Sequence, residues 1–265
     1  MFGELNILVN KDKTEHTIIG HHDVVKDQQA WKETKKLGSK LGVEEDVARR
    51  KVLATQCFNK FKFIWKRSNK VSKTIRMMTY KTIVESVLLL NCSTWALSIK
   101  EADNLDTYQR RLLRKIFGYV WSDKISNEDL YKEAGVVPAS LQVLDARWRL
   151  FGHILRMNEN TPARKAMVYY FAGDQKGRKG PRITIATSLS NEYYMVHGKK
   201  LDSLEALNEI ASIAQDRNEW KEITSKVVQS YADMQSNKRL VQKQKRKGEV
   251  VPHNITHNYL LRSRG

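Results

Sequence analysis

Cysteine is scarce in this chain of 265 residues: Cys57 and Cys92 are the only two. That excludes a disulfide-stapled scaffold and any zinc knuckle built on three or four thiolates. Both lie in apolar surroundings, "TQCFNKF" and "LLLNCSTW", which reads as reduced and buried thiols. Histidine offers no dense cluster either: His21 and His22 are adjacent, which is not the spacing of a helical zinc site. Proline is rare too. Four in the whole chain, beside abundant Lys, Leu, Glu and Arg, suit long helices better than a many-turned β fold. Long apolar runs are missing. The longest, "IVESVLLL" at 83–90, is interrupted by Glu85 and falls far short of the ~20 residues that span a bilayer. The first residues, "MFGELNILVNKDK", have no basic region leading into an apolar stretch, so no signal peptide is expected. A nuclear or cytoplasmic location follows as an expectation from the thiols. There is no Walker A loop, no Gly-x-Ser-x-Gly elbow and no dinucleotide fingerprint.

Acids are the most telling shortage. Forty-seven Lys and Arg stand against 29 Asp and Glu, a formal net charge of +18. Between Val47 and Val84 there is no acid at all, while the stretch carries Arg49, Arg50, Lys51, Lys60, Lys62, Lys66, Arg67, Lys70, Lys73, Arg76 and Lys81. A charge run is often only a solvated face. Here the balancing acids are absent, so the self-repulsion calls for an external polyanion, and nucleic acid is the commonest one. Each phosphate contact would release counterions and make binding salt-dependent. Further bases gather at Arg110, Arg111, Arg114 and Lys115. Others gather at Lys176, Arg178, Lys179 and Arg182, where "GDQKGRKGPR" supplies glycines that let backbone approach a phosphate.

The apolar pattern predicts a mainly α fold. "LNILVN" and "EHTIIG" are short β-type runs around "KDKT", and "KKLGSKLG" has the form of a second hairpin. From Glu44 the period becomes helical. "EEDVARRKVLATQCFNKFKFIWKR" opens with acids and closes with bases, and Val47, Ala54, Cys57, Phe58, Phe61, Ile64 and Trp65 mark its buried face. A second helix starts at the cap Ser72 and runs through "KTIRMMTYKTIVESVLLL". A third covers "EADNLDTYQRRLLRKIF", with Gly118 placed to end it. Ser126 and Asp129 resemble a capping box before a short helix that stops at Gly135. Another begins after Pro138, and two more lie around "SLEALNEIASIA" and "DRNEWKEITSKVVQSYADM".

The stretch "ARWRLFGHILRM", 146–157, invites a search for a catalytic histidine. On a helical wheel Leu141, Leu144, Trp148, Phe151, Gly152 and Leu155 share one face, which Leu150, Ile154 and Met157 widen. Gly152 then reads as a site of close packing. The remaining stripe carries Arg149, His153 and Arg156 at i, i+4 and i+7. With arginines beside it and no carboxylate to orient it, His153 reads as a packing or contact residue. Carboxylates fare no better as metal ligands. Glu44, Glu45 and Asp46 fit a helix N-terminus, and "YADM" at 231–234 has a single acid in a helical context.

The ordered string of motifs resembles the segment that follows the catalytic palm in reverse transcriptases of non-LTR (LINE-type) retrotransposons. The likeness runs through "LNILVNKDKTEHTII", "WKETKKLGSKLGVEEDVARRKVLA", "FKFIWKRSNKVS", "VESVLLLNCSTWAL" and "LDTYQRRLLRKIFGYVWSDKISNEDLY". It continues through "ARWRLFGHILRMNENTPARKAM", "GRKGPR" and "AQDRNEWKEI", which together span roughly residues 5 to 225 in the family's own order. "GRKGPR" is a shifted version of the family's Gly-Arg-Pro-Arg run.

The resemblance implies a palm end and primer-grip-like β remnant over 1–42 and a basic thumb-like helical region over 43–120. It implies a C-terminal helical region over 121–230, and 231–265 reads as a basic tail without fixed structure. It implies nucleic-acid contacts, to the element's RNA or an RNA–DNA hybrid. The matching positions are Lys35, Lys36, Lys60, Lys62, Lys66, Arg67, Lys70, Lys73, Arg76, Arg110, Arg111, Arg114, Arg149, His153, Arg156, Lys176, Arg178, Lys179 and Arg182. The family's paired aspartates precede the matched segment. No catalytic residue, metal ligand or cofactor therefore carries over, and Mg²⁺ belongs to the parent polymerase. No small-molecule substrate and no membrane partner are expected. Two other readings fit the same residues: a basic helical interaction protein, and a truncated form of an active reverse transcriptase.

Overall fold

The computed structural model describes residues 35–36, 38–66, 70–172 and 183–247. The expected first hairpin, "LNILVN" with "EHTIIG", and the tail beyond 247 lie outside the described residues. Within them the chain is mainly α-helical, as its composition predicts. It divides into two compact units. The first holds the described residues up to Asn91 together with Thr107–Ala134, and the second holds Cys92–Asp106 with the described residues from Gly135 onward.

In the first unit, β1 (Lys35–Lys36) and β2 (Ser39–Lys40) pair antiparallel, Lys35 opposite Lys40 and Lys36 opposite Ser39. This is the small hairpin that "KKLGSKLG" predicts. It leads into α1 (Val43–Lys60), which holds the hairpin by its own first turns. The buried Asp46 carboxylate accepts from the Lys40 amide at 2.9 Å, and Arg50 donates to the Gly38 carbonyl at 2.6 Å and the Ser39 hydroxyl at 3.0 Å. Asp46 and Arg50 also pair across one helical turn. One acid of the expected N-terminal trio is therefore a buried anchor.

The expected single helix over 44–67 breaks at Phe61, and α2 (Lys62–Lys66) follows. Trp65 causes the break. Its indole stacks on Phe58 at 5.0 Å and donates to the Phe58 carbonyl at 2.8 Å, taking the acceptor that residue 62 would use in an unbroken helix. α3 (Lys73–Thr79) starts at Ser72, whose hydroxyl accepts from the Ile75 amide. It passes without interruption into a π-helical segment, Tyr80–Glu85, and then α4 (Ser86–Leu88). The wider turn brings Tyr80 and Val84, both fully buried, into the core.

Residues of α5 (Ile99–Phe117) are shared between the two units. Gly118, at φ +78°, ends it, and the Tyr119 amide reaches back to the Arg114 carbonyl at 2.9 Å, a left-handed glycine stop. α6 (Asn127–Ala134) follows, with the Ser126 hydroxyl accepting from the Asp129 amide at 3.1 Å. Residues 121–134 thus fall with the first unit, where Leu130, Tyr131 and Ala134 are buried.

The second unit is organised on α7 (Ala139–Leu155), the helix of "ARWRLFGHILRM". Pro138 offers no side-chain cap, and the fully buried Asp106 serves instead, accepting from the Ser140 amide and hydroxyl at 2.8 Å each. Around α7 lie α8 (Pro162–Ala172), α9 (Ile185–His197), α10 (Leu204–Ile213) and α11 (Arg217–Lys247). Trp148, Phe151, Leu155, Phe171, Leu189, Tyr193, Leu207 and Trp220 form the centre of the core. The aromatic rings meet at 5.6–6.4 Å, in tilted, stacked and edge-on pairs. At Gly152 the Trp220 indole of α11 packs tightly on α7: a Cβ there would sit 2.7 Å from Trp220 Cδ1 and nearer still to Nε1 and Cε2. The close packing expected of Gly152 is present.

Residues 231–247, expected as the start of a tail, instead continue α11. The reason is apolar: Tyr231 and Ala232 pack on the core and Val241 is buried. "YADM" is therefore helical, not a strand-turn-strand. α9 is an element the sequence reading did not contain.

Candidate nucleic-acid interface

The bases differ in their placement. In the first unit Lys60, Lys62, Lys66 and Lys70 are exposed, as are Arg111 and Lys115 on α5. None of the six has a hydrogen-bond or ion-pair partner among the described residues. Three bonds tie α1, α3 and α5 together within this unit. Tyr108 on α5 bonds the Thr55 hydroxyl at 2.8 Å and the Lys51 carbonyl at 2.9 Å of α1, and Arg76 on α3 donates to the Ile116 carbonyl of α5.

The same bond removes Arg76 from the candidate contacts. It is buried, 7% exposed, with its guanidinium spent on the last turn of α5, where a cation also complements the helix dipole. Sequence reading treats Arg76 as one more base in an acid-free run, because the run shows the charge but not the carbonyl that holds it. Arg110 and Arg114 are half-buried and similarly engaged. Arg110 donates to the Thr107 hydroxyl at 2.8 Å, and Arg114 to the Asn127 amide oxygen at 2.8 Å and the Ile125 carbonyl at 3.4 Å.

Lys73 is intermediate. It remains exposed but pairs with Glu133 and lies 4.9 Å above the Phe117 ring. The Tyr119 hydroxyl also donates to Glu133. These two donors hold the Glu133 carboxyl below its usual range, and the same bond pushes the Tyr119 phenol up to about 12.

The stripe of the second unit separates into three fates. Arg149 is exposed and pairs with Asp145 one turn back at 2.7 Å. His153 is exposed, with no hydrogen-bond partner among the described residues. Arg156 is half-buried and donates to the Ala214 carbonyl at 3.0 Å. The unforeseen base is Arg147, buried, which bonds the Trp95 carbonyl at 2.6 Å and pairs with Glu192, itself bonded by the Trp148 indole at 2.8 Å. Burial pushes the Glu192 carboxyl up, against the opposing pull of Arg147 and the Trp148 N–H. Lys35 and Lys36 are placed by their backbone on β1. Arg67, Lys176, Arg178, Lys179 and Arg182 lie outside the described residues.

Among the described residues no three His, Cys, Asp or Glu stand together as metal ligands would. Cys92 is buried and its thiol is pushed up to about 11 by that burial, which keeps it protonated near neutrality, while Cys57 is only half-buried. No helix among the described residues is long and apolar enough to cross a membrane. The sequence reading also passes over Trp121, in the turn after α5, which is 98% exposed. Its signal is legible in "GYVWSD", a tryptophan just past a glycine that ends a basic helix.

Compared with protein-family models, with curated proteins and with solved structures, the chain matches none.

Proposed function

We propose that this chain binds nucleic acid, RNA or an RNA–DNA hybrid, as the thumb-like and downstream part of a LINE-type reverse transcriptase does in the family it resembles. The observation that supports this most directly is the set of six exposed cations, Lys60, Lys62, Lys66, Lys70, Arg111 and Lys115, left without partners among the described residues. Four of them lie in a stretch that contains no acid. Unpaired ammonium groups on one compact unit suit a phosphate backbone, which they neutralise as point charges without reading sequence. The reading is of binding alone and does not extend to polymer synthesis.

Fluorescence anisotropy of labelled RNA, RNA–DNA hybrid and duplex DNA, titrated with the chain over a range of salt, tests the proposal. If all six cations meet phosphates, log K falls against log salt with a slope of about −4 to −5. Replacing Lys60, Lys62 and Lys66 by Ala should lower that slope by about 2 to 3. Salt-independent binding, or preference for an acidic polypeptide over every nucleic acid, would overturn the reading.

A further inference from the structure

Trp121 stands almost wholly outside the protein, at 98% exposure the most exposed large apolar side chain among the described residues. A solvated indole forfeits the burial that usually draws tryptophan inward. A slack loop would explain it cheaply, but this turn is held at every corner. The backbone leaves α5 through Gly118, and the Tyr119 ring lies against Phe117 at 5.7 Å. Trp121–Asp123 then form a 3-10 turn. The Asp123 carboxylate accepts from the Val120 amide at 2.7 Å, and the Asp123 amide donates to the Val120 carbonyl at 3.1 Å. Lys124 closes the turn in the left-handed region at φ +48°, a conformation that a non-glycine residue keeps only where its surroundings impose it. Behind the turn, Arg114 reaches from α5 to Ile125 and Asn127 and fixes the exit. The indole is presented, with Val120 (63% exposed) beside it.

The surroundings say what it is presented to. From Arg110 to Lys124 the chain has five bases and one acid, and that acid, Asp123, is occupied in closing the turn. Arg111, Lys115 and Lys124 are exposed and their side chains have no partner among the described residues. An exposed aromatic face a few residues along the chain from free cations fits a ligand that alternates flat π faces with negative charges, namely a single strand of nucleic acid. A membrane surface fits less well. Only one indole and one valine project, and α6 begins with the exposed acids Glu128 and Asp129, which a planar anionic surface would meet together with the bases.

We propose that Trp121 is a base-stacking platform: an unpaired base lies on the indole while Arg111, Lys115 and Lys124 neutralise the flanking phosphates. This rests on the nucleic-acid reading above and adds to it a preference for unpaired segments.

The test compares the whole chain with Trp121→Ala and Trp121→Phe, using a fluorescein-labelled oligouridine, an oligothymidine and a blunt duplex of equal length. Stacking on one base predicts roughly 5- to 150-fold weaker single-strand binding for Trp121→Ala. Most of the loss should be restored by Phe, the duplex should be little affected, and the salt slope should not change, because no charge is removed. Fluorescence that is quenched on titration of the wild type but not of Trp121→Phe would assign the contact to this indole. The exposed position makes loss of fold an unsuitable explanation, and an unchanged melting curve checks it. Single-strand affinity unchanged in Trp121→Ala, with the wild type binding normally, overturns the platform alone. A wild-type chain that binds no oligonucleotide overturns the platform and the reading beneath it. Loss of binding to phosphatidylserine vesicles in Trp121→Ala, with oligonucleotide binding intact, overturns it in favour of a membrane anchor.

Discussion

Replacing Gly152 by alanine puts two ordinary rules in opposition. In a helix interior the change should stabilise by about 1 kcal/mol, because alanine restricts the unfolded chain and glycine does not. At this position the added methyl enters space held by the Trp220 indole, 2.7 Å from Cδ1 and closer to Nε1 and Cε2. Trp220 has little room to yield. It is 4% exposed, packs against Trp148 at 5.6 Å and Phe151 at 5.7 Å, and donates through Nε1 to the Trp148 carbonyl at 3.1 Å. Overpacking a filled core costs about 1–3 kcal/mol. Pushing the indole off its acceptor leaves a buried N–H unpaired, a further ~1–3 kcal/mol. The net expectation is a loss of about 1–5 kcal/mol after the propensity gain is subtracted. Urea unfolding followed by circular dichroism measures it. A second background isolates the cause. In a Trp220→Leu chain the obstacle is gone, so adding Gly152→Ala should be neutral or stabilising by up to about 1 kcal/mol. If Gly152→Ala matches the wild type in stability, or costs the same in both backgrounds, the close approach of α11 to α7 at this glycine is not what the residue serves.

Two further perturbations follow. Arg76→Met should keep volume but strand the Ile116 carbonyl, costing about 1–3 kcal/mol in urea unfolding and leaving the salt slope of nucleic-acid binding unchanged. A slope reduced by about 1 with stability intact would return Arg76 to the binding surface. Glu133 has a folded-state pKa below its unfolded value, because Lys73 and Tyr119 donate to its carboxylate. Its contribution is therefore present above the ordinary Glu range, about 4.3, and is lost as pH falls through the lowered value. For a pair this exposed the effect is small, about 0.2–1 kcal/mol. Glu133→Gln should lower the urea midpoint slightly near neutrality and match the wild type in strong acid. A difference that persists or grows in acid would refute the assignment.

The helix starts and stops that the sequence made legible were those carried by local chemistry: Ser72, Gly118, Ser126, Gly135 and Pro138 all stand at the ends expected of them. The apolar face of α7 was equally readable, since Leu141, Leu144, Trp148, Phe151 and Leu155 are all buried. The elements that were not legible depend on partners distant in the chain. α9 opens with "IATSLS", whose β-branched and hydroxyl residues have weak helix propensity. It forms because Leu189 and Tyr193 pack on the aromatic core. Its caps were visible in retrospect: Thr184 and Thr187 bond each other's amides, and Gly198 at φ +68° ends it. The break at Phe61 depends on the Trp65 indole finding the Phe58 carbonyl, a competition that periodicity does not register.

The candidate interface was legible as charge but not as placement, and the difference has a chemical basis. Arg50, Arg76, Arg114, Arg147 and Arg156 each donate to a backbone carbonyl inside their own unit. A guanidinium presents five donors in a planar fork and tolerates desolvation better than an ammonium, so it can satisfy carbonyls that helix ends and turns leave open. A lysine ammonium is strongly hydrated and gains little from the same position. Lys60, Lys62, Lys66 and Lys70 accordingly face solvent. Among the described residues the bases thus include side chains spent on carbonyls of their own unit and exposed ones left free to meet a ligand. A surface drawn chiefly from lysines makes point-charge contacts to phosphate and few of the bidentate contacts by which arginine reads guanine. If the chain binds nucleic acid as proposed, discrimination should then rest on nucleic-acid form, with the exposed indole of Trp121 favouring unpaired strand over duplex, and not on base sequence.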